Sequence, residues 1–136
     1  PYEKCLKKIA ENEGVIGSVH FFGFCENPWN VISECDVFVG TSLWEGFYLS
    51  GVEAMACKIP VVLSDCDYGP KEYIQHGENG LLFKTGDYKD LASKVLMATS
   101  IKSSNYDNCV ANTVAKYSLS KMVEKYTQLY IDTLKN

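Results

Sequence analysis

Apolar residues change their spacing several times along this chain, and each change marks an element. At residues 2–13, Tyr2, Leu6, Ile9 and Ala10 recur at helical spacing, which predicts an amphipathic helix ended by Gly14 and Gly17. Residues 19–24 form an apolar run that predicts a strand. Asn27-Pro28 opens a short helix carrying Val31, Ile32 and Cys35, with Pro28 suited to its first turn. Residues 36–40, 60–63 and 81–83 predict three further strands. Between these lie a small-residue helix over 49–57, a helix running from Gly69-Pro70 to about His76, and a turn at 77–80. Helices follow at about 87–99, 105–117 and 119–135, the last with Met122, Val123, Tyr126, Leu129, Tyr130 and Leu134 in one wide apolar stripe.

The predicted strands are apolar throughout rather than alternating, and they are interleaved with helices. That pattern fits a parallel sheet covered on both faces. The expected fold class is α/β: a doubly wound, Rossmann-like parallel sheet. Its length suits one domain over residues 1–136. Such sheets usually begin with a strand, whereas this chain begins with Pro1 and a helix. The first strand or two are therefore expected to lie outside it.

Composition narrows the partners. The formal net charge is −4 and no basic run interrupts it, which argues against nucleic acid or an anionic membrane as the main partner. The longest apolar runs are too short to cross a bilayer, and the polar, charged opening does not resemble a signal peptide. Six cysteines (Cys5, Cys25, Cys35, Cys57, Cys66 and Cys109) include no C-x-x-C pair, which argues against zinc. They are expected to be reduced thiols in or near the core of an intracellular, cytoplasmic protein. His20 is expected to be buried and hydrogen-bonded in its strand, and His76 exposed at a helix end. Trp29 and Trp44 are expected to pack, with Trp44 bordering the stretch described next.

Ligands of doubly wound sheets bind beyond the carboxyl ends of the strands. The loop at 40–48 is one such place. Its Glu45, Gly46, Phe47 and Tyr48 precede a helix whose N-terminal N–H groups favour phosphate. Glu45 and Glu53 lie eight residues apart. A carboxylate accepts two hydrogen bonds in a fork, so Glu53, one turn into the helix, suits a vicinal diol such as ribose. Glu45, in the loop, suits a sugar hydroxyl. Both acids also fit a solvated surface or a helix-dipole role. Asp65, after the third predicted strand, either faces the cleft or caps its own loop.

The ordered motifs carry a resemblance. Ser42-Leu43-Trp44-Glu45-Gly46-Phe47-Tyr48-Leu49 is followed by Glu53-Ala54-Met55-Ala56, Pro60-Val61-Val62, Ser64-Asp65, Gly69-Pro70-Lys71-Glu72-Tyr73-Ile74 and Asn79-Gly80-Leu81-Leu82. Val19 to Gly23, Asp36 to Val39, Asp87 and Leu91 also fit. Over roughly residues 1–100 the chain resembles the retaining glycosyltransferases of family 4, which have the GT-B fold. The resemblance implies a C-terminal domain that binds a nucleoside-diphosphate sugar and needs no metal to do so. In it Glu53 would grip the ribose hydroxyls. Glu45, as the catalytic residue, would contact the donor sugar. Backbone amides near Phe47, Tyr48 and Leu49 would face the diphosphate and sugar, with Gly46 beside them. The loop after Gly23, with Phe24, would flank the nucleobase. Tyr48 stands where the family usually has glycine, and so does Lys58, at the end of the same helix.

The resemblance also implies parts outside this chain: a first strand, a basic Arg…Lys pair that neutralises the diphosphate, and an N-terminal acceptor-binding domain. On this reading the chain is a C-terminal fragment of an enzyme moving a hexosyl group to a hydroxyl acceptor such as a polysaccharide or lipid-linked glycan, at or near the membrane surface. The stripe on the last helix could then drive self-association. The other readings left open are a sugar-nucleotide epimerase or phosphorylase with the same cleft, and a non-catalytic sugar-binding or scaffold module.

Overall fold

A computed structural model describes residues 2–101 and 104–135. The elements run α1 (Glu3–Asn12), a 3-10 turn (Ile16–Ser18), α2 (Trp29–Ile32), β1 (Phe38–Gly40) and α3 (Leu49–Ala56). They continue through β2 (Val61–Ser64), α4 (Pro70–Tyr73), β3 (Leu81–Phe83), α5 (Tyr88–Ala98), α6 (Ser104–Lys116) and α7 (Leu119–Leu134). The three strands are parallel in the order β1-β2-β3, with Phe38 opposite Val61 and Val62 opposite Leu81.

β2 is buried at every position, and its side chains alternate between two cores. Val61 and Leu63 meet Val52, Ala54 and Met55 of α3 and Tyr106 and Val110 of α6. Val62 faces the other way, toward Leu81, Phe83 and Ala98, with Leu91 and Val95 of α5 against them. Helices therefore cover both faces, as the uninterrupted apolar strands imply. α5 starts where Asp87 accepts from the Lys89 and Asp90 N–H groups, and α7 where Ser118 accepts from Lys121.

One expected strand does not form. Residues 19–24 pair with no strand among the described residues, and most of them are exposed. The sheet order β1-β2-β3 of the described residues includes no partner for residues 19–24. His20 goes with them and is exposed rather than buried. The apolar stripe of α1 buries Ala10 alone. The α7 stripe meets no core either: its large apolar residues are at least 41% exposed. The cysteines also divide. All six are free, but Cys5, Cys25 and Cys35 are exposed, Cys57 and Cys109 half-buried and Cys66 buried.

Two local details explain motif positions. α4 stops at Tyr73, three residues short of the expected His76, because Asn79 takes over its end. The Asn79 Nδ2 donates to the Tyr73 carbonyl at 2.8 Å and to Thr113 Oγ1 at 2.8 Å, while its Oδ1 accepts from the Gln75 N–H at 2.7 Å. His76, exposed as expected, lies beyond the helix and accepts from the Leu82 N–H at Nδ1. Lys58 ends α3 in the left-handed region (φ 62°), with Lys58 N–H bonded to Met55 and Ile59 N–H to Ala54. That is a Schellman cap, whose usual glycine avoids the Cβ penalty.

Two predictions test this packing. Asn79→Ala should lower the unfolding free energy by about 3 kcal/mol in urea denaturation, from three bonds at roughly 1 kcal/mol each. A loss below about 1 kcal/mol would contradict the role given to Asn79. Burial, and after it the Asp107 carboxylate, push the Tyr106 phenol from 10.0 to about 12. Burial also raises Tyr73. Folding thus favours the protonated phenols, so their contribution is whole below pH 10 and is lost as pH rises from there through the folded values. Tyr106→Phe should flatten the fall in stability measured between pH 10 and 12.

Candidate functional site

The loop at 41–48 joins the carboxyl end of β1 to α3, and other segments clamp it at several points. The Ser64 hydroxyl, at the end of β2, donates to the Ser42 carbonyl at 2.5 Å. Ser42 Oγ in turn donates to Glu45 Oε1 at 2.6 Å. Gly69 (φ 83°) lies directly beneath the Phe47 backbone, where a Cβ would come within 2.9 Å of the Phe47 carbonyl carbon. The Tyr73 hydroxyl donates to the Tyr48 carbonyl at 2.9 Å. The motif Gly69-Pro70-Lys71-Glu72-Tyr73 therefore works from underneath the loop, through Gly69 and Tyr73.

The expected site residues take different places. Glu45 is half-buried and held by Ser42 on one oxygen. Glu53 is half-buried on α3, and its carboxylate has no hydrogen bond or ion pair among the described residues. Gly46 is exposed, and a side chain there would meet nothing within 4 Å. The Phe47 ring turns inward against Tyr73 and Tyr117, with centroids 5.3 and 4.9 Å away, so the ring is structural. Tyr48 caps α3 with φ 66° and ψ 60°. Burial raises its phenol above the usual value, and the neighbouring Glu45 adds to this against the hydrogen bonds of Ser42 and Ser50. Leu49 is exposed.

Gly23 and Phe24 lie open. A side chain at Gly23 would meet nothing, and Phe24 is 92% exposed. Trp44 does not pack as expected but is 82% exposed in the site loop. Asp65 makes no side-chain hydrogen bond that caps its loop among the described residues. It pairs with Lys71 at 3.2 Å, an exposed contact of little energetic weight.

Ser42, Ser64, Gly69 and Tyr73 were not among the residues expected to build the site. Each lies inside a recognisable motif, but only the tertiary structure shows that they converge on one loop. A hollow of about 450 Å³ between α4 and α6 is lined by Lys71, Gln75, Thr113 and Tyr117 and by neither acid.

The arrangement has a definite chemistry. The first amides of α3 have no carbonyl within the helix to bond, and the helix dipole adds partial positive charge. A carboxylate without a protein partner lies one turn further along. The site thus offers donors for an anion beside acceptors for hydroxyl groups. No group of three or more His, Cys, Asp or Glu among the described residues is placed to hold a metal ion. None of the described helices is long and apolar enough to cross a membrane.

Known proteins resemble this chain in sequence and fold. The poly(ribitol-phosphate) alpha-N-acetylglucosaminyltransferase of Staphylococcus aureus is 30% identical over 92% of the chain and 26% of its own length. The N,N'-diacetylbacillosaminyl-diphospho-undecaprenol alpha-1,3-N-acetylgalactosaminyltransferase of Campylobacter jejuni is 34% identical over 88% of the chain and 32% of its own length. Among solved structures, Anabaena Alr3699/HepE in complex with UDP-glucose superposes with a TM-score of 0.87 and 26% identity, covering 96% of this chain and 37% of that one. The chain thus spans about a quarter to a third of the curated relatives it matches. The family described as Glycosyl transferases group 1 matches residues 1–115, and the chain belongs to it.

Proposed function

We propose that this chain is the part of a glycosyltransferase that binds a nucleoside-diphosphate sugar, at the carboxyl edge of its sheet. The observation that carries this reading is Glu53, a residue of α3 whose carboxylate has no hydrogen bond or ion pair among the described residues. A carboxylate with both oxygens uncommitted can accept from a ligand, and a vicinal diol supplies two donors. Relatives named as transferases to polymer or lipid-linked acceptors, and a neighbour solved with UDP-glucose, support the same reading.

The roles are those the family resemblance implies. Glu53 accepts from the ribose hydroxyls. Glu45, with Ser42 occupying one oxygen, turns the other toward the donor sugar. The Leu49 and Ser50 N–H groups face the diphosphate, and the open loop at Gly23 and Phe24 borders the base. In the transfer, the bond from the anomeric carbon to the diphosphate breaks and its electron pair leaves with the diphosphate. The acceptor hydroxyl oxygen bonds to that carbon with retention of configuration, and its proton passes to an oxygen of the departing diphosphate. α3 contributes electrostatically: fixed amides and a dipole stabilise charge developing on the leaving diphosphate. The chain needs no metal ion for this.

Calorimetry with UDP, on this chain or on a longer protein containing it, tests the assignment. Glu53→Ala should weaken binding by at least tenfold, because ribose recognition is lost. Glu45→Ala should leave UDP affinity within about threefold and weaken UDP-glucose binding more. UDP binding indifferent to Glu53 would remove the basis of the proposal.

A further inference from the structure

Tyr48 is in an unusual conformation for its size. Left-handed backbone is rare for bulky residues, and where it persists the surroundings hold it. At Tyr48 the support comes through the ring, whose hydroxyl also has hydrogen bonds with Ser42 and Ser50, and through the carbonyl. Its ring fills the room left by Gly40, where a side chain would overlap it, and borders Gly51. Its carbonyl accepts the Tyr73 hydroxyl at 2.9 Å and the Gly51 N–H at 3.1 Å. Tyr73 is only 5% exposed, and its ring is set by Phe47 and Tyr117.

The sequence gives this pairing a meaning. A glycine at 48, usual in the resembled motif, reaches φ near 66° without strain and needs no support. A tyrosine does need it. Position 73 here carries the hydroxyl that reaches the Tyr48 carbonyl.

We propose that Tyr73 is a positioning residue of the donor site, acting through Tyr48. Its hydroxyl holds the Tyr48 carbonyl and with it the opening turn of α3, so that the Leu49 and Ser50 amides stay aimed at the ligand. This rests on the donor-site reading for the identity of the ligand, but not for the lock itself. Burial first, and then the charges of Tyr48 and Glu45, raise the Tyr73 phenol, so it remains a donor throughout the neutral range.

A double-mutant cycle separates positioning from simple packing. Tyr73→Phe removes one oxygen and leaves the ring against Phe47 and Tyr117. With Tyr48 present, it should reduce the protection of the Gly51 amide in hydrogen exchange about tenfold and raise the dissociation constant for UDP about tenfold. In a Tyr48→Gly background the same change should alter either quantity by less than twofold. Tyr48→Asn, which tolerates left-handed backbone, gives the equivalent comparison if the glycine variant does not fold. Equal effects of Tyr73→Phe in both backgrounds, or no effect with Tyr48 present, would overturn the proposal. The exchange measurement decides the lock even if UDP does not bind, an outcome that would count against the donor-site reading alone.

Discussion

Burial of β2 on both faces is the constraint on which the rest of this structure depends. A four-residue strand with Val61 and Leu63 toward one helix layer and Val62 toward the other cannot slip register without exposing a core. Its last residue, Ser64, is therefore fixed in space, and its hydroxyl reaches the Ser42 carbonyl across 22 positions of sequence. Through that bond the rigidity of the sheet passes into the loop at 41–48. Gly69 and Tyr73, which follow β2 in the chain, complete the clamp. The loop is irregular, but its backbone is held at the Ser42, Phe47 and Tyr48 positions by a strand end and a short helix.

This arrangement divides the motif residues into two kinds. Glu45, Glu53 and the first amides of α3 present chemistry outward. Ser42, Ser64, Phe47, Gly69, Tyr73 and Asn79 face inward and hold that chemistry in place. Asn79 shows the second kind most clearly: it is fully buried, and its three bonds join the end of α4 to Gln75 and to α6. Tyr48 belongs to both kinds. It caps α3, the helix proposed to meet the ligand, and its ring is packed where Gly40 makes room.

Much of this was legible in the sequence. The strands at 38–40, 61–64 and 81–83, the helices between them and the two acids were all readable from spacing and motif order. Residues 19–24 were misread as paired because apolar composition reports a tendency toward strand, not the presence of a neighbour. His20 was misjudged for the same reason. The end of α4 was placed too late because an asparagine six residues beyond Tyr73 supplies the cap, a contact no local pattern reveals. The inward ring of Phe47 and the hydroxyl of Tyr73 were likewise hidden, since each depends on which segments the fold brings under the loop.

The central claim is that the opening turn of α3, with Glu53, receives the nucleoside diphosphate. Backbone amide chemical shifts recorded during titration with UDP test it most directly. The account predicts the largest changes at Leu49, Ser50, Gly51 and Glu53. Changes concentrated at Gln75, Asn112 and Thr113 around the hollow between α4 and α6, with the α3 amides unmoved, would contradict it.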